Sequence, residues 1–322
     1  MNRHAVRVAV VLSAFTAIAA QAQNYPTKPI RMVVPFTPGG AQDVMGRLMG
    51  AKISEATGQQ VIIDNRPGAG GVIGMELIAR GAPDGYTLGV GAFGTLAINP
   101  SLYPKLPYDA FKSFTPVTLY AKVPNLLTVG NSVPARSVKE LIALAKAKPG
   151  MLSYGSGGQG SGIHLTTEYF RLMAKIELTH VPYKGTVPAA IAMMSGEVSM
   201  VFAAIQGLAP HVRSGKIRGL GVSTSKRLPS FPDIPTIAED GLPGFEATQW
   251  YGLVAPAALP KPVLATLHKI VVGSLQTKDV QDRLAFDSSE AVGNQPDEFR
   301  AFIKLEIDRW APVVKASGIK PE

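Results

Sequence analysis

Short apolar, β-branched runs alternate along this chain with stretches whose apolar residues recur every three or four positions. The runs predict strands over 30–34, 61–64, 87–91, 126–129, 152–155, 177–181, 200–203 and 219–222. The helical spacing predicts helices over 44–57, 72–80, 138–148, 162–174, 188–195, 206–214, 262–275, 280–285 and 296–317. Such alternation specifies an α/β fold with mostly parallel sheets. Two stretches break the rhythm. Residues 119–129, interrupted by Pro124, lead into a fresh series opening at Ser137. Residues 245–254, with Trp250 and Tyr251, follow a Pro/Gly-rich stretch and lead into the C-terminal helices. A chain that crosses twice in this way makes a discontinuous lobe (23–124 with 248–322), a continuous one (125–247), and a cleft between them.

At two places a strand runs through a Gly-rich turn into a helix. The first turn carries Phe36, Thr37, Pro38, Gly39, Gly40, Ala41, Gln42 and Asp43. The second carries Ser156, Gly157, Gly158, Gln159, Gly160 and Ser161. The first N–H groups of a helix lack intrahelical partners, and the aligned peptide dipoles favour negative charge there. Both turns therefore read as anion cradles, with Asp43 expected as the helix cap or the residue that orients the turn. A third turn-rich stretch, from Asp64 through Arg66 to Gly71, is expected to brace the first, with Arg66 paired to a carboxylate.

The second turn also matches G-x-G-x-x-G over 155–160, the dinucleotide fingerprint. No acidic residue closes the following strand to hold a ribose, because Glu177 begins that strand instead, and a dinucleotide is not expected. Hydrolase chemistry would need Ser156 or Ser161 with His164, yet G-x-S-x-G is absent and no acid is placed to orient the histidine. His164 is expected either to hydrogen-bond a carboxylate or to cap and pack the loop. His180, His211 and His268 lack metal-ligand spacing, so neither a metal nor a cofactor is expected. Two anion cradles without catalytic machinery point to carboxylate capture.

Composition narrows the setting. Arg3 and Arg7, an apolar run over 8–20, and Ala20-Gln21-Ala22 form a secretory signal over 1–22, which predicts export to the periplasm. No later run approaches the roughly 20 apolar residues of a membrane span, so membrane insertion is not expected. The chain has no cysteine, which excludes disulfides and thiolate catalysis, and its 46% hydrophobic content suffices for a large core instead. The formal charge is +9, or +7 without Arg3 and Arg7. Its cations are scattered with no interleaved aromatics, which fits attraction of small anions rather than nucleic acid.

Over essentially the whole mature length the chain resembles the Bug, or TctC, family of periplasmic solute-binding proteins of tripartite tricarboxylate transporters. The resemblance is carried by Pro35-Phe36, Pro38-Gly39-Gly40, Asp43 with Arg47, Asn65-Arg66-Pro67-Gly68-Ala69-Gly70-Gly71, Pro83-Asp84-Gly85-Tyr86-Thr87-Leu88, the 154–161 loop with His164, and Val181-Pro182-Tyr183-Lys184-Gly185. It continues through Pro232-Asp233-Ile234-Pro235-Thr236, Gly241-Leu242-Pro243-Gly244-Phe245 and Gly252-Leu253-Val254-Ala255-Pro256. It implies a two-lobe Venus-flytrap fold whose two Gly-rich loops, here 36–42 and 156–161, hold ligand carboxylates from opposite lobes. It also implies a membrane permease as partner. Phe93, Thr95 and Tyr183 complete the expected binding set, and Trp250 is either a core or hinge aromatic or a pocket wall.

Many members carry an aspartate where Ser199 stands and another acid shortly after Phe202; here Ala203 and Ala204 follow instead. An apolar middle between two anion loops suits a dicarboxylate, with terephthalate or phthalate favoured over citrate or C4–C6 diacids. The expected protein is a monomeric receptor and not an enzyme. A ligand sensor and a secreted serine hydrolase are the alternatives.

Overall fold

The computed structural model describes residues 25–286 and 288–320. The signal sequence expected over 1–22 lies outside the described residues.

The chain opens with β1 (Ile30–Val34), α1 (Ala41–Thr57), β2 (Val61–Asn65), α2 (Val72–Ala79) and β3 (Thr87–Ala92). Strands β2 and β3 flank β1 and run parallel to it. A π-helical turn over Phe93–Ile98 and the short α3 (Asn99–Leu102) lead to β4 (Phe114–Gly130). A second βα series follows: α4 (Val138–Ala147), β5 (Ser153–Ser156), α5 (Gly162–Ala174), β6 (Thr179–Pro182), α6 (Thr186–Ser195) and β7 (Met200–Ala204). Here β5 pairs in parallel with β6 and β7. Helix α7 (Ala209–Arg213), β8 (Ile217–Val222), β9 (Thr248–Pro256), α8 (Lys261–Ser274), α9 (Lys278–Phe286), β10 (Glu290–Ala291) and α10 (Pro296–Ser317) complete the chain.

Strand β4 joins the two sheets. Its first part pairs antiparallel with β9, from Phe114 opposite Pro256 to Pro124 opposite Thr248. Its last part, from Asn125, pairs with β7 and β8 instead. Pro124 has no N–H to give a ladder, and the exchange of partners falls at that residue. Asn125 then secures the junction: its N–H donates to Ser223 Oγ and its Nδ2 to the Ala247 carbonyl, both at 2.9 Å. The sheets are therefore mixed rather than mostly parallel, because strands that pass between them in opposite directions enter antiparallel.

Three packed clusters hold this frame. Ile30, Met32 and Val34 meet Met45, Met49 and Ile53 of α1 and Leu267 and Val271 of α8. Leu126, Val201 and Ala203 pack on Ala189 and Met193 of α6. The largest cluster runs from Phe93 through Tyr154 and Phe170 to Trp250, Phe299 and Trp310. Helix α10 thereby straddles both sheets: Trp310 meets Phe93 edge-on at 4.8 Å and Tyr169 of α5 at 5.1 Å. Full burial of each such side chain contributes about 1.5–3 kcal/mol relative to exposure.

The sequence pattern and the structure part at element ends. Helices α1 and α6 begin at Ala41 and Thr186 rather than 44 and 188, which brings their first turns against Gly40 and Gly185. The expected helix over 206–214 is a 3-10 turn, Ile205–Gly207, followed by α7, with Pro210 in its first turn.

Candidate functional site

A cleft of about 680 Å³ opens where the strand-to-helix loops of the two sheets face each other. Four helix beginnings contribute to its walls. They are Gly40, Ala41 and Gln42 of α1; the 3-10 turn Ala69–Gly71 before α2; Ser161, Gly162 and Ile163 of α5; and Gly185 and Thr186 of α6. Helices α1, α2 and α6 have no side-chain cap, so no protein oxygen from a capping residue competes for their first N–H groups. No aspartate or glutamate stands among the described residues that line the cleft, and Lys184 at its edge is cationic. The dipoles and the charge give the cleft a positive character without a fixed counter-anion.

The first loop is shaped from behind. Gly39 takes a left-handed φ of +81° and turns outward, while its N–H donates to Asp43 Oδ2 at 2.9 Å. The same oxygen accepts from Arg47 Nε, and Asp43 Oδ1 accepts from Asn65 Nδ2, each at 2.9 Å. Asn65 Nδ2 also donates to the Phe36 carbonyl. Burial pushes the Asp43 carboxyl up, but Arg47, the Gly39 N–H and Asn65 outweigh it and hold it below the usual carboxylate range. Asp43 thus orients the turn from the first helical turn; Gly40, not Asp43, holds the cap position.

The second loop rests on an aromatic stack of buried Tyr154 and His164 with half-buried His180. His164 lies 3.8 Å from His180, nearly parallel, and His180 stacks on Tyr154 at 4.9 Å. His164 Nδ1 accepts the Gly160 N–H at 3.1 Å, and Ser161 Oγ accepts the His164 N–H at 3.3 Å as the cap of α5. Ser156 Oγ lies 2.6 Å from His180 Nε2 and accepts the Gly158 N–H. Burial, then the neighbouring His180 and Arg171, push the His164 imidazole down to about 3, so it stands neutral as an acceptor. Gly160, at φ +69°, approaches Leu102 so closely that a Cβ would stand 2.6 Å from its Cδ2.

Of the expected binding set, Phe36, Thr37, Gly40, Ala41, Gln42, Gly157, Gly158, Gln159, Gly160, Ser161, Tyr183 and Ala204 line the cleft. The others do not. Pro38 and Gly39 turn to solvent, and Asp43 sits behind the loop. Phe93 and Trp250 are core: Trp250 donates from Nε1 to the buried Glu306 at 2.9 Å, pinning α10 to β9. Thr95 Oγ1 braces the π-helical turn through the Ala92 N–H and carbonyl. Ser156 is fully buried with its hydroxyl against His180, and His164 supports the loop from below, its Nδ1 taken by the Gly160 N–H. Ala203 packs against α6, so only the second alanine of the pair reaches the cleft. Arg66 pairs with Asp64 at 2.8 Å as a brace, while Gly68, Ala69, Gly70 and Gly71 line the cleft themselves. Lys184, Gly185, Thr186, Gln249 and Tyr251 also line it outside the expected binding set. Of these, Lys184 and Gly185 stood in the 181–185 stretch that carried the resemblance and Tyr251 was one of two adjacent aromatics at a crossing, whereas Gln249 and Thr186 carried no signal; the earlier start of α6 is what brings Gly185 and Thr186 in.

Among the described residues no group of three or more His, Cys, Asp or Glu could hold a metal ion, and no helix is long and apolar enough to cross a membrane.

Residues 45–319 match the family described as Tripartite tricarboxylate transporter family receptor. The chain is 37% identical to Protein BugT of Bordetella pertussis across 98% of both chains. A protein of R. palustris solved with adipate is 38% identical, covering 92% of this chain and 100% of that one, with a TM-score of 0.87. MatC from Rhodopseudomonas palustris, solved with bound malate, is 34% identical over 90% of this chain and 100% of its own, with a TM-score of 0.83.

Proposed function

The chain belongs to the tripartite tricarboxylate transporter family of receptors, periplasmic solute-binding proteins with a two-lobe fold, and from that premise we propose that it captures a dicarboxylate for a membrane permease of that system. The observation that carries this reading is the convergence of four helix beginnings, three without a side-chain cap, on one acid-free cleft. Such N–H groups bind a carboxylate through charge-assisted hydrogen bonds, and a ligand ammonium would find no carboxylate partner there. The loops over 36–42 and 156–161 take the first carboxylate from opposite sides.

The lobes are 23–124 with 248–322, and 125–247. Their division is supported by the exchange of strand partners at Pro124 and Asn125 and by the return of β9 at Thr248. A ligand that touches both lobes favours the state in which both touch it. The apolar wall of Phe36, Ala41, Ile163 and Ala204 suits a hydrocarbon body, and an aromatic diacid such as terephthalate is the favoured ligand. Relatives solved with adipate and malate keep aliphatic diacids close behind.

A thermal-shift screen of the mature chain against mono-, di- and tricarboxylates, aromatic diacids and amino acids tests this, since a ligand that binds only the folded state raises Tm. The expected result is a clear shift with one or more diacids and recovery of the ligand unaltered. Shifts with amino acids alone, or with no acid at all, would remove the reading.

A further inference from the structure

Two residues of β9 reach the base of the cleft from a strand that carries no binding motif. Gln249 and Tyr251 are two apart, so the strand presents them on the same face. Both line the cleft although Tyr251 is 1% exposed and Gln249 5%. No described residue hydrogen-bonds the Tyr251 hydroxyl. Gln249 makes only a long contact, Nε2 to Thr166 Oγ1 at 3.4 Å. The absence of a side chain at Gly162 admits this amide to the cleft: a Cβ there would stand 2.8 Å from Gln249 Oε1. The Tyr251 hydroxyl is not among the enclosed polar atoms without a partner, so it opens to the cleft, where a ligand oxygen can accept from it.

We propose that the Tyr251 hydroxyl, with the Gln249 amide beside it, is a second recognition point that reads the far carboxylate of a dicarboxylate whose first carboxylate sits on the Gly-rich loops. The inference rests on the carboxylate reading above and goes beyond it by naming what discriminates a diacid from a monoacid. Both groups can donate, and a carboxylate offers two acceptor oxygens. Burial pushes the tyrosine pKa up, so the hydroxyl keeps its proton. Lys184 is less suited to this task, because it is exposed at the cleft edge, where water screens its charge. Tyr251 packs in the same cluster as Ala204, so the far carboxylate would follow directly on the apolar wall.

The test is the affinity of the mature protein and its Tyr251→Phe variant for matched pairs by calorimetry: succinate and butyrate, adipate and hexanoate, terephthalate and 4-methylbenzoate. The wild type should prefer at least one diacid to its monoacid, and Y251F should weaken that diacid by about 10-fold or more while leaving the monoacid unchanged. The Tm of free Y251F should match the wild type, because the lost hydroxyl has no partner within the protein. A wild-type preference that survives in Y251F overturns this inference and leaves carboxylate capture standing. Equal affinity of the wild type for diacids and monoacids overturns it as well. Binding of no acid removes both readings together.

Discussion

Ala203 and Ala204 are adjacent, small and both buried, yet they belong to different environments. A strand turns successive side chains to opposite faces, so Ala203 packs into the α6 cluster while Ala204 meets the cleft. An acid at the two positions should therefore do different things. Ala204→Asp should place a carboxylate beside an anionic ligand and weaken diacid binding by about 10-fold or more, with little change in the Tm of the free protein. Ala203→Asp should bury an unpaired charge and destabilise the fold by several kcal/mol. Paired melts and titrations of the two variants separate these outcomes. If Ala203→Asp melted normally and lost only the ligand, the facing of β7 would be wrong. The composition of the pair was legible in the sequence. Which of the two alanines faces the ligand was not, because the strand is buried on both sides and shows no polar alternation to read.

The loop that precedes α5 shows how a motif can be legible while its support is not. The glycines announced a backbone that approaches a ligand, and a histidine one turn later was open to two roles. Its partner came from elsewhere: His180, on β6, is brought beneath the loop only by the parallel pairing of β5 with β6, Tyr154 opposite His180. The stack has a consequence for pH. His164 is pushed down to about 3 by burial first, then by His180 and Arg171, and burial lowers His180 too; Glu168, held by Tyr154 and Arg171, acts in the opposite sense on His180. A histidine unfolded near 6.5 and folded near 3 binds more protons when unfolded throughout that window. Its contribution is therefore present above about 6.5 and is lost as pH falls towards about 3. Denaturant stability of the ligand-free protein should drop between pH 6.5 and 4.5, above the range where most carboxylates titrate. His164→Gln, whose amide oxygen can still accept the Gly160 N–H, should flatten that drop; an unchanged slope would assign it to other groups. Strands β4 and β9 teach the same lesson in another form. Pro116, Pro124, Gly252 and Pro256 broke the apolar runs, so only part of β4 stood out as a strand, although it runs through 17 residues.

Across the whole molecule, the alternation of strands and helices was visible because each switch is a local change in pattern. The cleft was visible only in part, because its walls come from four helix beginnings and one crossing strand that are far apart in sequence. In the proposed reading its use depends on the two lobes moving against each other about β4 and β9. A receptor that closes on its ligand must bind one arrangement of the lobes more tightly than the other, and the shift in population equals that difference in affinity. The absence of cysteine makes this measurable with two introduced thiols. Ile73, near the start of α2, and Val187, near the start of α6, are 49% and 61% exposed and sit beside opposite walls of the cleft. Spin labels on Ile73→Cys and Val187→Cys should report a broad distance distribution in the free protein. Saturation with the diacid that gives the largest thermal shift should narrow it and move it to shorter distances. The same ligand should leave the distribution unchanged in an Ala204→Asp background at that concentration, which ties the motion to occupancy of the cleft. A distribution that binding does not alter would mean that the lobes are fixed and that any membrane partner must recognise the ligand or the loops directly, since no change of shape would signal a loaded receptor.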